Sequence, residues 1–224
     1  MTSGRACGPN DMSKVISHLT ISLDGFVAGP NQSLENPLGE GAMRLHEWLF
    51  ATSEWQDAHG GSGGSGDSID SEAAASMQRG VGAVVMGRNM FAAGRGDWDL
   101  SWRGWWGENP PFHAPVFVLT HYPREPLAME GGTTFYFVTD GVDDALSRAR
   151  AAAGDASVHV AGGASTVRQY LRAGLLDELH LHVSPLLLHD GERLFEDLGD
   201  CRFEVMSAAA GGPLAAHVSL RVVR

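Results

Sequence analysis

Cysteine is nearly missing from this chain of 224 residues, with only Cys7 and Cys201 present. Cys7 lies in the first twelve residues, so a structural disulfide is not expected, and a reducing cytoplasm fits. Long apolar runs are missing too, and none approaches the length of a membrane span. The opening MTSGRACGPNDM lacks the apolar core of a signal peptide. It reads as a disordered leader over residues 1–12, with Met12 as a candidate natural start. Positive charge is scarce, with 16 basic against 27 acidic residues and a formal net charge of −11. Such a surface repels nucleic acid and anionic membrane, so neither is an expected partner. An anionic ligand would need a local basic or dipolar site. Internal repeats are absent as well.

Apolar residues make up 43% of the chain, enough for one sizeable core. The first strand is expected over Lys14 to Leu23, running into the turn Asp24-Gly25. Asp24 is either a plain turn residue or a carboxylate held at a strand end, where open α/β sheets bind ligands. Asn31 to Gly41 reads as a loop. Leu45, Trp48, Leu49 and Trp55 predict one amphipathic helix over roughly residues 42 to 56. A glycine-serine segment, His59 to Ser68, follows; it suits a linker or a mobile loop beside a site. A second helix runs from Ser71 and Glu72 through Met77.

Val81 to Met86 is a short apolar run of the type buried on both faces. Gly87-Arg88-Asn89 turns it into a helix. An arginine there is either solvated or a phosphate partner. Asp97 to His113 is irregular and holds four of the six tryptophans, Trp98, Trp102, Trp105 and Trp106. Those rings suit a packed cover or an aromatic wall for a flat heterocycle. Pro115 to Thr120 is another buried-type strand, ending in the polar loop His121 to Arg124. Thr133 to Val138 is a strand, and Asp140 is expected to cap the helix that follows.

The chain then reaches Ser157 to Pro185, where its pattern is clearest. Val158 to Ala161 is β-type, Gly162-Gly163 is a turn, and Val167, Tyr170 and Leu171 share one helical face. Gly174 stands where a C-terminal glycine cap belongs. In the next strand Leu179, Leu181 and Val183 alternate with Glu178, His180 and His182. A glycine pair before a helix lets a ligand approach the backbone, and the helix start at Ala164-Ser165-Thr166 suits a pyrophosphate. The plainer account is tight packing of turn against sheet. His180 and His182 read as strand histidines beside a solvent face rather than metal ligands, and no metal is expected. Leu186 to Phe195 and two closing strands, Phe203 to Ser207 and Ala216 to Val223, complete the chain. The pattern implies an α/β fold with a mostly parallel sheet and an antiparallel C-terminal edge. Asp24, Gly87 to Asn89, Thr120 to Arg124 and Gly162 to Thr166 should then converge on one rim.

Four stretches, in this order and spacing, resemble dihydrofolate reductase: Val84 to Phe91, Phe117 to Thr120, Val160 to Ala164 and Leu176 to Leu181. With Ser22-Leu23-Asp24-Gly25, Pro185 and Gly191-Glu192-Arg193-Leu194-Phe195, the chain is more similar to a relative. That relative is the reductase domain of the riboflavin-pathway bifunctional deaminase-reductase. The resemblance spans residues 13 to 224, read as a single domain. It implies a three-layer α/β/α fold around an eight-stranded sheet, and an NADPH-dependent hydride transfer to a C=N or C=O carbon. By motif position Gly162, Gly163, Ala164, Ser165 and Thr166 would hold the pyrophosphate. Gly87, Arg88 and Asn89 would flank the adenosine phosphates. Thr120 and His121 occupy the place of 2′-phosphate contacts. Asp24 is the catalytic candidate, and Trp105, Trp106 and Glu47 are candidates for the substrate. Glu54 is the other carboxylate offered where dihydrofolate reductase has one on its first helix. The deaminase half has no counterpart, since no Cys-x-x-Cys occurs. The expected partners are a small heterocyclic substrate, of pterin or pyrimidine class, and a second copy of the chain in a homodimer.

Overall fold

The computed structural model describes residues 13–58, 61, 62, 64, 66, 68–92, 94 and 96–223. The expected leader lies outside them, and the glycine-serine segment lies partly outside. Among the described residues no helix is long and apolar enough to cross a membrane.

Among the described residues, eleven strands form one large sheet and one small one. The strands are β1 (Val15–Ser22), β2 (Phe26–Ala28), β3 (Val81–Gly87), β4 (Pro115–Leu119), β5 (Leu127–Ala128), β6 (Thr134–Val138), β7 (Ser157–Gly162), β8 (Glu178–Ser184), β9 (Glu192–Arg193), β10 (Arg202–Ala210) and β11 (Ala216–Val223). The large sheet has the order β10-β11-β8-β1-β7-β3-β4-β6-β5. Its centre, from β8 to β6, is parallel, and β11 and β10 add the antiparallel edge. The sheet therefore has nine strands rather than eight. The ninth is the two-residue β5, antiparallel to β6, which is too short to leave a pattern in the sequence.

Six α-helices among the described residues accompany the strands: α1 (Glu47–Phe50), α2 (Ser53–Ala58), α3 (Ile69–Ser76), α4 (Arg88–Phe91), α5 (Gly141–Ala153) and α6 (Ala164–Arg172). The single helix expected over residues 42 to 56 is in fact a 3₁₀ turn, Ala42–His46, then α1, then α2. Thr52 makes the break. Its hydroxyl donates to the Leu49 carbonyl at 2.7 Å and accepts from the Trp55 N–H at 3.3 Å, closing one helix and starting the next. Asp140 stands before α5 but makes no side-chain cap; its carboxylate lies 3.6 Å from Arg148 instead.

One face of the sheet carries Leu19, Val85, Phe117, Val158 and Val160, sealed by Val167, Tyr170 and Leu171 of α6 and Ala145, Leu146 and Ala149 of α5. The other face is covered in two halves. Over β3, β4 and β6, the residues Val84, Met86, Val116, Val118 and Phe135 meet α4 and the tryptophan loop. Over β1, β8 and β11, Trp48 of α1 and Ala74 of α3 form the cover. Two helical layers around a sheet give the expected three-layer architecture.

Candidate active site at the carboxyl edge of the sheet

Strands β1, β7, β3 and β4 are parallel neighbours, so their carboxyl ends share one edge. The β3 and β7 turns touch there. A Cβ at Gly87 would strike the Thr166 hydroxyl oxygen, so a glycine lets the two turns meet. Gly162 has φ +127°, and a Cβ on it would sit 3.4 Å from Leu19 and 3.8 Å from Met90. Gly163 differs: a Cβ there would meet nothing within 4 Å. The Gly162-Gly163 peptide is cis. Helix α6 begins at once, with no side-chain cap. Its start offers backbone N–H groups and the positive dipole end beside open space. Ser165 is exposed at that start, whereas Ala164 and Thr166 are buried.

Arg88 lies on an aromatic platform. Its guanidinium carbon is 3.9 Å from the Trp98 ring centroid and 5.0 Å from that of Tyr122. Arg124 lies 5.6 Å from the same Trp98 ring. Nε and Nη1 of Arg88 and Nη1 of Arg124 are buried without a hydrogen-bond partner. The other donors reach backbone carbonyls: Arg88 Nη2 to Asp97 at 3.4 Å, and Arg124 Nη2 to Trp102 at 2.7 Å. Burial pushes the Arg124 pKa down, while Asp99 pulls it up. Two neighbouring guanidinium groups thus keep donors that the protein itself does not spend. Thr120 is buried, and its hydroxyl accepts from the Tyr122 N–H at 3.1 Å, so it shapes the turn that carries Tyr122. His121 is exposed beside it.

Asp24 is fully engaged. Its carboxylate accepts from the Ser22 hydroxyl at 2.6 Å, the Leu188 N–H at 3.1 Å and the His189 N–H at 2.7 Å. Burial alone would raise its pKa. The hydrogen bonds from Ser22, His189 and Leu188 outweigh that and bring it down to about 2. A carboxyl ionised at all ordinary pH can orient a group but does not store a proton. Its loop is fixed further by the small sheet of β2 and β9.

A cleft of about 430 Å³ opens where the β3 turn meets the 29–37 and 190–192 loops, lined by Asn31, Gln32, Asn89, Trp105, Asp190 and Glu192 among others. It unites Asn89 and Trp105, assigned from sequence to cofactor and substrate. The adjacent Trp106 goes elsewhere: its ring packs on Phe112 at 4.8 Å and Phe135 at 6.0 Å, as part of the cover. Glu47 is exposed on α1, and Glu54 lines a different cleft with Ser68 and Ser71. The lining from 190 to 192 went unrecognised in sequence. The signal was Gly191, whose Cβ would strike the Ala28 carbonyl and which brings that loop against β2.

The histidine expectation is overturned. His182 is 2% exposed, and it faces a covered half of the sheet rather than solvent. His18, His159, His180 and His217 join it there. Among the described residues no three His, Cys, Asp or Glu side chains are placed to hold a metal.

Sheet order, layers and rim together define an α/β protein of the dihydrofolate reductase-like class. Residues 13–214 match the RibD C-terminal domain, and the chain belongs to that family of reductase domains. Comparison with curated proteins finds no match. Solved structures similar to it include a protein assigned to riboflavin biosynthesis from Shewanella sp. PV-4. It is 22% identical with a TM-score of 0.60, over 94% of this chain and 99% of that one. A pyrimidine reductase-like protein from Corynebacterium diphtheriae is 14% identical with a TM-score of 0.54, over 95% and 92%. The deaminase/5-amino-6-(5-phosphoribosylamino)uracil reductase of Thermotoga maritima is 15% identical with a TM-score of 0.54. The match covers 95% of this chain and 57% of that longer one.

Proposed function

We propose that the chain is an NADPH-dependent reductase acting on a C=N or C=O bond of a small heterocycle. The class is that of pterins and pyrimidines, as for a 5-amino-6-(5-phosphoribosylamino)uracil reductase. The observation that carries this reading is the open glycine turn at the uncapped start of α6, beside two arginines with unspent buried donors. Gly163, Ala164 and Ser165 would receive the pyrophosphate on backbone N–H groups, the Thr166 N–H being already donated to the Gly163 carbonyl at 3.0 Å. Arg88 and Arg124 would supply the charge that an acidic surface otherwise lacks, with Thr120 and His121 beside them. NADPH, when bound, supplies the hydride. Trp105 and Asn89 would bound the substrate side of the cleft and keep water from it. Asp24 would hold the 188–189 loop and orient the substrate through that loop. Dihydrofolate reduction by a carboxylate on the first helix gains no support from an exposed Glu47 and a distant Glu54. The homodimer belongs to the same proposal, supported by the long edge strand β10 with exposed Val205 and Met206.

The test uses Gly163→Val, which the open space beside Gly163 lets the fold accept. NADPH affinity by calorimetry should fall at least tenfold, about 1.4 kcal/mol. Arg88→Ala should weaken NADPH more than NADH if Arg88 faces the 2′-phosphate, and both equally if it faces the pyrophosphate. Unchanged NADPH affinity in folded Gly163→Val removes the cofactor assignment. NADPH binding with no oxidation by any pterin, pyrimidine or small ketone would leave a binding protein rather than an enzyme.

A further inference from the structure

We propose that Asp70, His217, His182 and His18 form a proton-reversible relay, which carries the protonation state of the sheet's outer part to an imidazole in its interior. The four side chains are contiguous. His217 Nε2 lies 2.7 Å from Asp70 Oδ1, His182 Nδ1 lies 2.8 Å from His217 Nδ1, and His18 Nδ1 lies 3.4 Å from His182 Nε2. They span α3 and the adjacent strands β11, β8 and β1.

Asp70 sets the direction of the chain. A carboxylate only accepts, so His217 carries its proton on Nε2. His217 Nδ1 is then an acceptor, and His182 must donate from Nδ1. His182 Nε2 is then an acceptor in turn, and His18 must donate from Nδ1. One carboxylate near the surface thus fixes the tautomers of three imidazoles.

An added proton reverses the chain. The charge is best placed on His217, the least buried of the three relay rings, with 10% of its side chain exposed and a carboxylate 16% exposed beside it. Imidazolium at His217 has protons on both nitrogens, so His217 Nδ1 becomes a donor. His182 Nδ1 passes its proton across that bond to His217 Nδ1 and takes one on Nε2 from His18 Nδ1. His18 takes the added proton on Nε2. One proton is gained in all: the positive charge comes to rest at His217, and each buried ring stays neutral while exchanging tautomer. The donor face of His18 turns over, next to the His180 ring stacked on it at 4.3 Å.

The surroundings favour this order of events. His159 of β7 faces His18, accepting from its backbone N–H at 3.4 Å. His180 of β8 bonds Ser219 at 2.9 Å and lies 3.4 Å from Glu178, itself paired with Lys14 at 2.7 Å. His46 of the 3₁₀ turn bears on His182. Trp48 covers His182 and His217, at 4.6 and 5.0 Å between ring centroids. On β10 the residue opposite His217 is Ala209. Asp70 is therefore the carboxylate at the His217 end, and Glu178 serves the His180 side. Burial, with the neighbouring histidines, drives the His182 pKa down to about 3 and that of His18 far below the usual range. Neither interior ring competes for the first proton.

Nitrogen NMR of the ¹⁵N-labelled full chain reads the tautomers directly. At about pH 8 the protonated nitrogens should be Nε2 of His217 and Nδ1 of both His182 and His18. As His217 becomes cationic, His182 and His18 should change to Nε2–H together. Another pattern at high pH, a titration of His217 without the two changes, or unfolding before them, would each overturn the relay. Asp70→Asn leaves one acceptor oxygen for two donors, His217 and the Gly212 N–H, and with that oxygen on His217 the starting pattern should persist. The reversal should then need at least tenfold more protons; an unchanged midpoint would remove Asp70 as its anchor.

Discussion

The two halves of the covered face opposite α5 and α6 are sealed by different physics. Over β3, β4 and β6 the contact is apolar: Phe91, Phe135 and Trp106 pack at ring distances of 4.9 to 6.0 Å. Dispersion and area burial hold it, and neither depends on direction. Its cover follows accordingly, mostly irregular backbone rich in tryptophan. Over β7, β1, β8 and β11 the sheet presents five of the ten histidines, His159, His18, His180, His182 and His217. There the cover is positioned by bonds: Asp70 of α3 to His217 at 2.7 Å, Asp70 to the Gly212 N–H at 2.9 Å, and Trp48 Nε1 to Thr20 at 3.2 Å. The apolar half tolerates any cover that fills it. The histidine half accepts only arrangements in which each buried polar group keeps its partner, and only while its interior rings stay neutral.

Acid should separate the halves most strongly. Burial and neighbouring histidines lower the His159 pKa to about 4 and the His182 pKa to about 3, and lower His18 as well. Each has a folded pKa below its unfolded value near 6.5, so the unfolded chain binds more protons between the two. The stability these rings contribute is complete above about pH 6.5 and is lost as the pH falls from there toward the folded values. Three such groups remove about 5 kcal/mol between about pH 6.5 and 5, since the limiting slope of about 1.36 kcal/mol per group and unit is reached only below the unfolded pKa. Urea unfolding across that range checks it, and a flat profile would sink the buried-neutral assignment. Phe135→Ala comes next, with about 3–5 kcal/mol lost from a fully buried ring. That loss should be the same at both ends of the pH range, since the apolar half holds no titrating ring. A Phe135→Ala penalty that changes with pH would mean the halves are not separate.

The two halves were not equally legible in the sequence. Val81 to Met86 and Pro115 to Thr120 are apolar on both sides, which marks a central strand wherever it sits. The glycine turns after β3 and β7 fall on one rim because parallel strands leave no other choice. The alternation His180, Leu181, His182, Val183 showed two faces but not which one was covered. Alternation usually means one wet face, yet here α1 and α3 lie over the polar side. The relay joins residues 18, 70, 182 and 217, whose closeness depends on strand order, and no local pattern reports that order. Trp105 and Trp106 are adjacent and were read alike. The loop turns one to the cleft and the other into the cover, a choice its backbone makes. At the rim, Arg88 was legible as a charge at a strand end. The Trp98 and Tyr122 rings that hold it come from two other loops.

The smallest effect tests the claim about direction most closely. Thr20 is 7% exposed, and its hydroxyl accepts from the buried Trp48 indole. Thr20→Val keeps the shape and removes the acceptor. If Trp48 were held by packing alone, as Phe135 is, the substitution would fall within about 0.5 kcal/mol of neutral. If the bond positions α1, the indole N–H is left buried and unpaired, which costs about 1–3 kcal/mol. Trp48→Phe loses ring area as well as the donor, so its cost alone decides nothing. The cycle of the two substitutions does: a coupling of about 1 kcal/mol is expected between Thr20 and Trp48. Coupling near zero would place the cover over the histidines in the same class as the cover over the tryptophan side. Hydrogen exchange gives the spatial check. Protection should drop in α1 and α3 of Thr20→Val and stay unchanged in β3 and β4. Loss spread evenly over both halves would show one cooperative face instead of two.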